Sequence, residues 1–117
     1  KLKMNEQRKI NTALQLVSVS NRKLNCVRIS PGNSDRHELV KFLVCLELEK
    51  RNKCYITEAR LVSGGIIDVL CLNDSIGYEI TYSETEKELK EKIKKYPREI
   101  EIRRIDAKKD FKPKVLD

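Results

Sequence analysis

A chain of 117 residues, 39% hydrophobic and 37% charged, has room for one core beneath a heavily solvated surface. No run reaches the ~18 uninterrupted apolar residues of a membrane-spanning helix. The net charge of +7 favours polyanionic partners, and a complement of no Trp, four Tyr and two Phe argues against base stacking as the main source of affinity.

Asn5–Val17 places Ile10, Leu14 and Val17 at helical spacing, with Ala13 and Leu16 beside them, which predicts an N-terminal helix. From Lys1 to Arg28 the bases are Lys1, Lys3, Arg8, Lys9, Arg22, Lys23 and Arg28, opposed only by Glu6. So one-sided a segment attracts phosphate backbones, and Arg8, Lys9, Arg22, Lys23 and Arg28 are the expected nucleic-acid-binding residues. Lys23–Ser30 alternates Leu24, Cys26 and Val27 with polar residues and predicts a short strand or extended segment. Ser30-Pro31-Gly32-Asn33-Ser34 is turn chemistry, and Ser34 or Asp35 can cap a helix from about Arg36 to Glu49. Its expected core stripe is Leu39, Phe42, Leu43 and Leu46, with Glu38 at the edge of that stripe.

Three strands are expected next, in Tyr55–Leu61, Gly64–Leu72 and Gly77–Ser83, joined by turns at Ser63-Gly64-Gly65 and Asn73-Asp74-Ser75. Ser83 with Glu86 forms a capping box, so a helix should begin at Glu84 and end at Pro97, with Leu89, Ile93 and Tyr96 as its apolar stripe. Arg98–Ile105 alternates Ile100, Ile102 and Ile105 with charges and reads as a further strand. A helix between two strands favours a parallel crossover. Residues 106–117 read as a polar tail. The whole is one α/β domain with a mixed sheet.

Cys26, Cys45, Cys54 and Cys71 form no CxxC pair and sit in apolar contexts, as small core residues of a reducing, cytoplasmic compartment would. No secretory signal is visible. His37, the only histidine, reads as a solvated residue at a helix start.

Two carboxylates interrupt apolar strands: Asp68 within GGIIDVLCL and Glu79 within GYEITYS. Such interruptions are costly unless the charge is paired or metal-bound. Each has a simpler explanation, Asp68 as an edge acid paired with Arg60 and Glu79 as a solvent-facing residue.

Taken with the order of elements, these acids resemble the PD-(D/E)XK nuclease superfamily, the restriction-endonuclease-like fold. That core is a helix, a three-stranded meander, a helix and a strand, here about residues 35–105 with an added basic N-terminal helix. The resemblance implies a metal site of Asp68, Glu79 and Glu38 holding Mg²⁺ or Mn²⁺, hydrolysis of DNA phosphodiesters, and duplex or branched DNA cut by a homodimer. Two residues depart from the motif: Ile67 precedes Asp68 in place of proline, and Thr81 occupies the position of the lysine. A lysine from the following helix would have to compensate. Lys87, Lys90 and Lys94 are candidates, and Lys90, beside Leu89, is the expected catalytic one. The alternatives are a non-catalytic nucleic-acid-binding or protein-binding member of the same fold, and an unrelated accessory protein binding DNA through its basic helix.

Overall fold

The computed structural model describes residues 2–117. Leu2–Leu14 forms α1, Asp35–Lys50 α2, Tyr55–Arg60 β1, Ile66–Cys71 β2, Ile76–Thr81 β3, Glu86–Ile93 α3 and Glu101–Asp106 β4. Short 3-10 turns occupy Val19–Asn21 and Pro113–Leu116. The strands make one sheet in the order β1-β2-β3-β4, antiparallel through β3 and parallel between β3 and β4, as a crossover through α3 requires. The chain is an α/β domain whose mixed four-stranded sheet is flanked by helices.

Helix α2 packs Val40, Val44, Cys45 and Leu48 against Tyr55, Val69, Cys71, Tyr78 and Ile80. The opposite layer joins Ile10, Ala13 and Val17 to Ile56, Ile67, Leu70 and Leu72, with Tyr96 and Ile100 closing one end. The buried face of α2 therefore differs from the expected stripe of Leu39, Phe42, Leu43 and Leu46. This helix is apolar on nearly every side, so periodicity could not single out the face that meets the sheet.

Residues 23–30 do not form a strand. Asn25 adopts a left-handed backbone (φ 54°) and completes one rung beside β1: its N–H donates to Tyr55 O (2.8 Å) and its Oδ1 accepts from Tyr55 N–H (3.1 Å). The Thr57 hydroxyl donates to Cys26 O and accepts from Arg28 N–H. Side chains thus close the exposed edge of β1 where a ladder would leave a new edge outside it. The C-terminal segment, polar by composition, is docked: Leu116 is buried against the α2 core, its carbonyl accepts from Tyr78 Oη (3.2 Å), and Arg51 holds Asp117 (2.8 Å). Helix α3 starts two residues later than expected, because Thr85 is its N-cap and accepts from Glu88 N–H (3.2 Å). The T-x-x-E pattern is used in place of S-x-x-E, which leaves Glu84 outside the helix.

Two local irregularities position the site. Glu58 has a left-handed backbone (φ 49°) in the middle of β1, a conformation costly for a residue with a Cβ. Packing changes layer across this level: Tyr55 and Val69 join the α2 core, whereas Ala59 and Ile67 join the other. Between β2 and β3 the observed pairing ends at Val69–Tyr78. The same register would set Asp68 opposite Glu79, but there the Ile80 N–H donates to Asp68 Oδ2 (2.8 Å). A side chain has taken the place of the ladder, and the sheet parts around two carboxylates.

Candidate active site

Asp68 lies in the mouth of this gap and Glu79 lies beneath it. Glu79, facing away from Tyr78 and Ile80, is only 1% exposed, so it is not a solvent-facing strand residue. Its carboxyl lies near enough to Asp68 to feel that residue's charge. Arg60 makes no ion pair with Asp68 among the described residues. Burial first, and then the charge of Asp68, push the Glu79 carboxyl up to about 8, against the pull of Lys92 and Tyr96. Two carboxylates meeting in a poorly solvated gap favour retention of one proton. The Tyr96 hydroxyl lies 3.0 Å from Ile66 O and 2.8 Å from Glu79 Oε1, with one proton for the two acceptors.

The cation nearest Glu79 is Lys92, whose Nζ is 3.8 Å from Glu79 Oε2 and 3.5 Å from Glu84 Oε2. Its ammonium is held charged by Glu79, Glu84 and Asp68, which outweigh partial burial. Lys90 and Lys87 are exposed, and Lys94 turns outward to Glu91 (3.1 Å). Lys92 was legible on the helical wheel: it lies three residues after Leu89 and four before Tyr96, inside the apolar stripe. Thr81, at the motif-lysine position, is buried, accepting from Arg104 Nε (2.9 Å).

On the other side of Asp68 stands the helix start. Ser34 caps α2 by accepting from His37 N–H (3.1 Å), which turns the His37 ring inward. The ring is buried, in contrast to the solvated residue expected, because it bridges two acids. Its Nε2 lies 3.3 Å from Asp68 Oδ2 and its Nδ1 lies 2.8 Å from Glu38 Oε2. Burial alone would lower the His37 pKa, but the two carboxylates outweigh it and raise it.

Glu38 is fully engaged. Oε1 accepts from Ser30 N–H (2.6 Å) and from Lys41 Nζ (2.6 Å), and Oε2 accepts from Asn33 Nδ2 (3.1 Å). Burial opposes its ionisation, but these bonds and His37 bring its pKa down to about 2. Lys41, 0% exposed, is shared between Glu38 and Glu58 (3.3 Å), an arrangement that explains how a lysine can lie inside the α2 core. The structure therefore brings Asp68 and Glu79 together and sets Glu38 one imidazole away. Among the described residues, no three His, Cys, Asp or Glu side chains are grouped as ligands for one ion. Asp68, His37, Ile80, Glu84 and Lys92 line a cleft of about 280 Å³, whose rim is Gly32–Ser34 and Tyr82–Ser83.

No family model, curated protein or solved structure matches the chain.

The basic residues fall in two places. Arg8 and Lys9 project from α1 beside the Asn73–Ser75 turn, past the end of β2, which lies about 10 Å along the strand from Asp68 at ~3.3 Å per residue. Arg28 joins Arg60, Asn21, Ser30 and Glu58 around a polar cavity of about 320 Å³, close to the acidic network. Lys23 is exposed, whereas Arg22 turns inward and donates from Nε to Val17 O (3.0 Å). Lys1 and the side chain of Lys3 lie outside the described residues. Pattern reading missed Lys41, Glu58, Glu84, Lys92 and Tyr96. The two glutamates gave no signal, since each looks like an ordinary charge on a strand or in a turn.

Proposed function

We propose that the protein is a divalent-cation-dependent nuclease of the restriction-endonuclease-like kind, acting on DNA. One observation carries the reading: at the parting of β2 and β3 a buried Glu79 carboxyl feels the charge of Asp68, with the Lys92 ammonium 3.8 Å from its Oε2. The element order is that of the fold named above, and the net charge of +7 suits a polyanionic substrate.

A crowded carboxylate pair in a poorly solvated gap is a fit for a hard divalent ion, since two sets of oxygen donors converge there. Asp68 and Glu79 would hold it; Glu38, saturated by Lys41, Asn33 and the Ser30 N–H, would not be a direct ligand. Bound there, Mg²⁺ or Mn²⁺ would lower the pKa of water and offset charge on a phosphate oxygen. The chain's own groups do the rest. Ile80 N–H and His37 fix the orientation of Asp68, and Tyr96 fixes that of Glu79. Lys92 replaces the lysine that Thr81 cannot supply: at the cleft wall it neutralises charge on the attacked phosphate.

The test is calorimetric titration of Mn²⁺ into wild type and Asp68→Asn, paired with cleavage assays on linear, single-stranded and branched DNA. Mn²⁺ binding lost in Asp68→Asn, with metal-dependent cleavage by wild type, is expected. A wild type that neither binds Mn²⁺ nor cuts any of these substrates would overturn the proposal. The closure of Glu38 favours a second reading, a binding module on the same fold without catalysis. Salt-sensitive DNA binding without cleavage would select it.

A further inference from the structure

Helix α2 buries one face on the sheet and leaves a second apolar face without a partner among the described residues. Leu39 is 49%, Phe42 47% and Leu46 39% exposed, with Leu43 half-buried beside them. These four positions fall on one side of the helix, opposite Val40, Val44 and Leu48. Segments pinned along both flanks of α2 widen the surface. Ser30 and Asn25 bond to Glu38 and Glu49 on one flank, and Ala107 and Pro113 accept from Arg36 and Arg51 on the other. They carry the exposed side chains of Leu24, Ile29 and Val115. Isolated apolar residues on a surface are ordinary, but a continuous stripe along a helix marks an interaction site.

We infer that this face pairs with the same face of a second copy, α2 against α2, antiparallel about a two-fold axis between Phe42 and Leu43. The charge pattern identifies the occupant. Turning the helix end for end about that point sets Leu39 level with Leu46, and Phe42 level with Leu43, of the second copy. The same operation sets Asp35 level with Lys50, both on the stripe side of the helix, so each end of the stripe meets an opposite charge. Asp35 and Lys50 are exposed and make no ion pair with any described residue. In the parallel arrangement Asp35 would meet Asp35 and Lys50 would meet Lys50, with the helix dipoles also aligned unfavourably. A self-complementary patch of this kind is what a two-fold interface requires. A 16-residue helix is about 24 Å long. With flanking segments on both sides, the strip is on the order of the ~800 Å² per partner buried in standard stable interfaces.

The surface is separate from the carboxylate cleft, and the inference stands whether or not the cleft binds metal. Sedimentation velocity of the full chain, from low micromolar to about 100 μM, should show a concentration-dependent dimer. Phe42→Glu, at an exposed site, should raise the dimer Kd by ~30-fold or more while leaving the circular dichroism spectrum unchanged. Lys50→Asp should weaken the dimer, and Asp35→Lys combined with Lys50→Asp should restore it, because the swapped charges again meet. A wild type monomeric at the highest concentration would overturn the inference and leave the face to a different partner. A dimer indifferent to Phe42→Glu, or a double swap no better than the single one, would overturn the α2 pairing.

Discussion

Replacing Glu79 by Gln tests whether the carboxylate gap holds a proton. The side chain is 1% exposed, and burial together with Asp68 lifts its pKa from 4.5 to about 8. Between those values the folded chain keeps a proton that the unfolded chain has released. Stability must therefore fall as pH rises through that window and level off above it. A displacement of this size corresponds to at most about 5 kcal/mol, and so to at most roughly 20 °C in Tm for a chain of this length. Gln keeps the shape, cannot ionise, and can still donate to Tyr96 or Asp68. Thermal unfolding in the presence of a chelator, from about pH 5 to pH 9, should show the wild type losing stability while Glu79→Gln loses much less. His37 contributes in the same direction: its stabilisation is complete below about 6.5 and is lost as pH rises through its raised folded pKa. That contribution is common to both proteins and drops out of their difference. Excess Mn²⁺ should restore wild-type stability at the alkaline end and leave the variant unmoved, because only the wild type binds the ion through Glu79. Parallel pH profiles for the two proteins would refute the reasoning, since the proton would then lie elsewhere.

Lys92→Ala should reduce metal-dependent cleavage by about 10²–10³-fold with the fold intact, whereas Lys90→Ala should be silent; the reverse result would return the role to Lys90. Glu38→Gln should cost about 3 kcal/mol or more near pH 7, because Lys41 is left buried without one of its partners. A carboxylate held at about 2 stabilises above its unfolded value near 4.5 and loses that contribution as pH falls towards 2. The penalty measured by urea unfolding should therefore shrink in acid, and a penalty equal at both pH values would sink the idea. Arg28→Glu, near the acidic network, should flatten the log–log salt slope of DNA binding by about 0.9 for each phosphate it no longer neutralises; an unchanged slope would remove Arg28 from the interface.

The meander and the crossover were legible because alternation, turn residues and a helical stripe agreed over residues 55–105. The meeting of Asp68 and Glu79 was legible for the same reason: their positions on adjoining strands become opposed once the turn is set. The working face of α2 was not. A helix with Leu or Val on every side carries no periodic preference, and the choice between Val40–Val44–Leu48 and Leu39–Phe42–Leu46 is made by what the sheet offers. The burial of Lys41 and His37 was hidden too. A lysine enters a core only when its counter-ions arrive with it, and Glu58 comes from a strand seventeen residues away whose backbone is twisted to deliver it. Lys92, by contrast, could have been found by asking which lysine shares a helical face with Leu89 and Tyr96.

The bond from Ile80 N–H to Asp68 Oδ2 couples main chain to chemistry. Elsewhere in a sheet an amide reports only whether neighbouring strands are joined. This one is tied to an oxygen whose electron density changes with every proton or cation that Asp68 acquires. Its nitrogen and proton resonances, and its rate of exchange with deuterated solvent, should therefore track occupancy of the cleft directly. A single backbone position thus serves as an intrinsic reporter, readable by NMR without a substrate, a label or turnover.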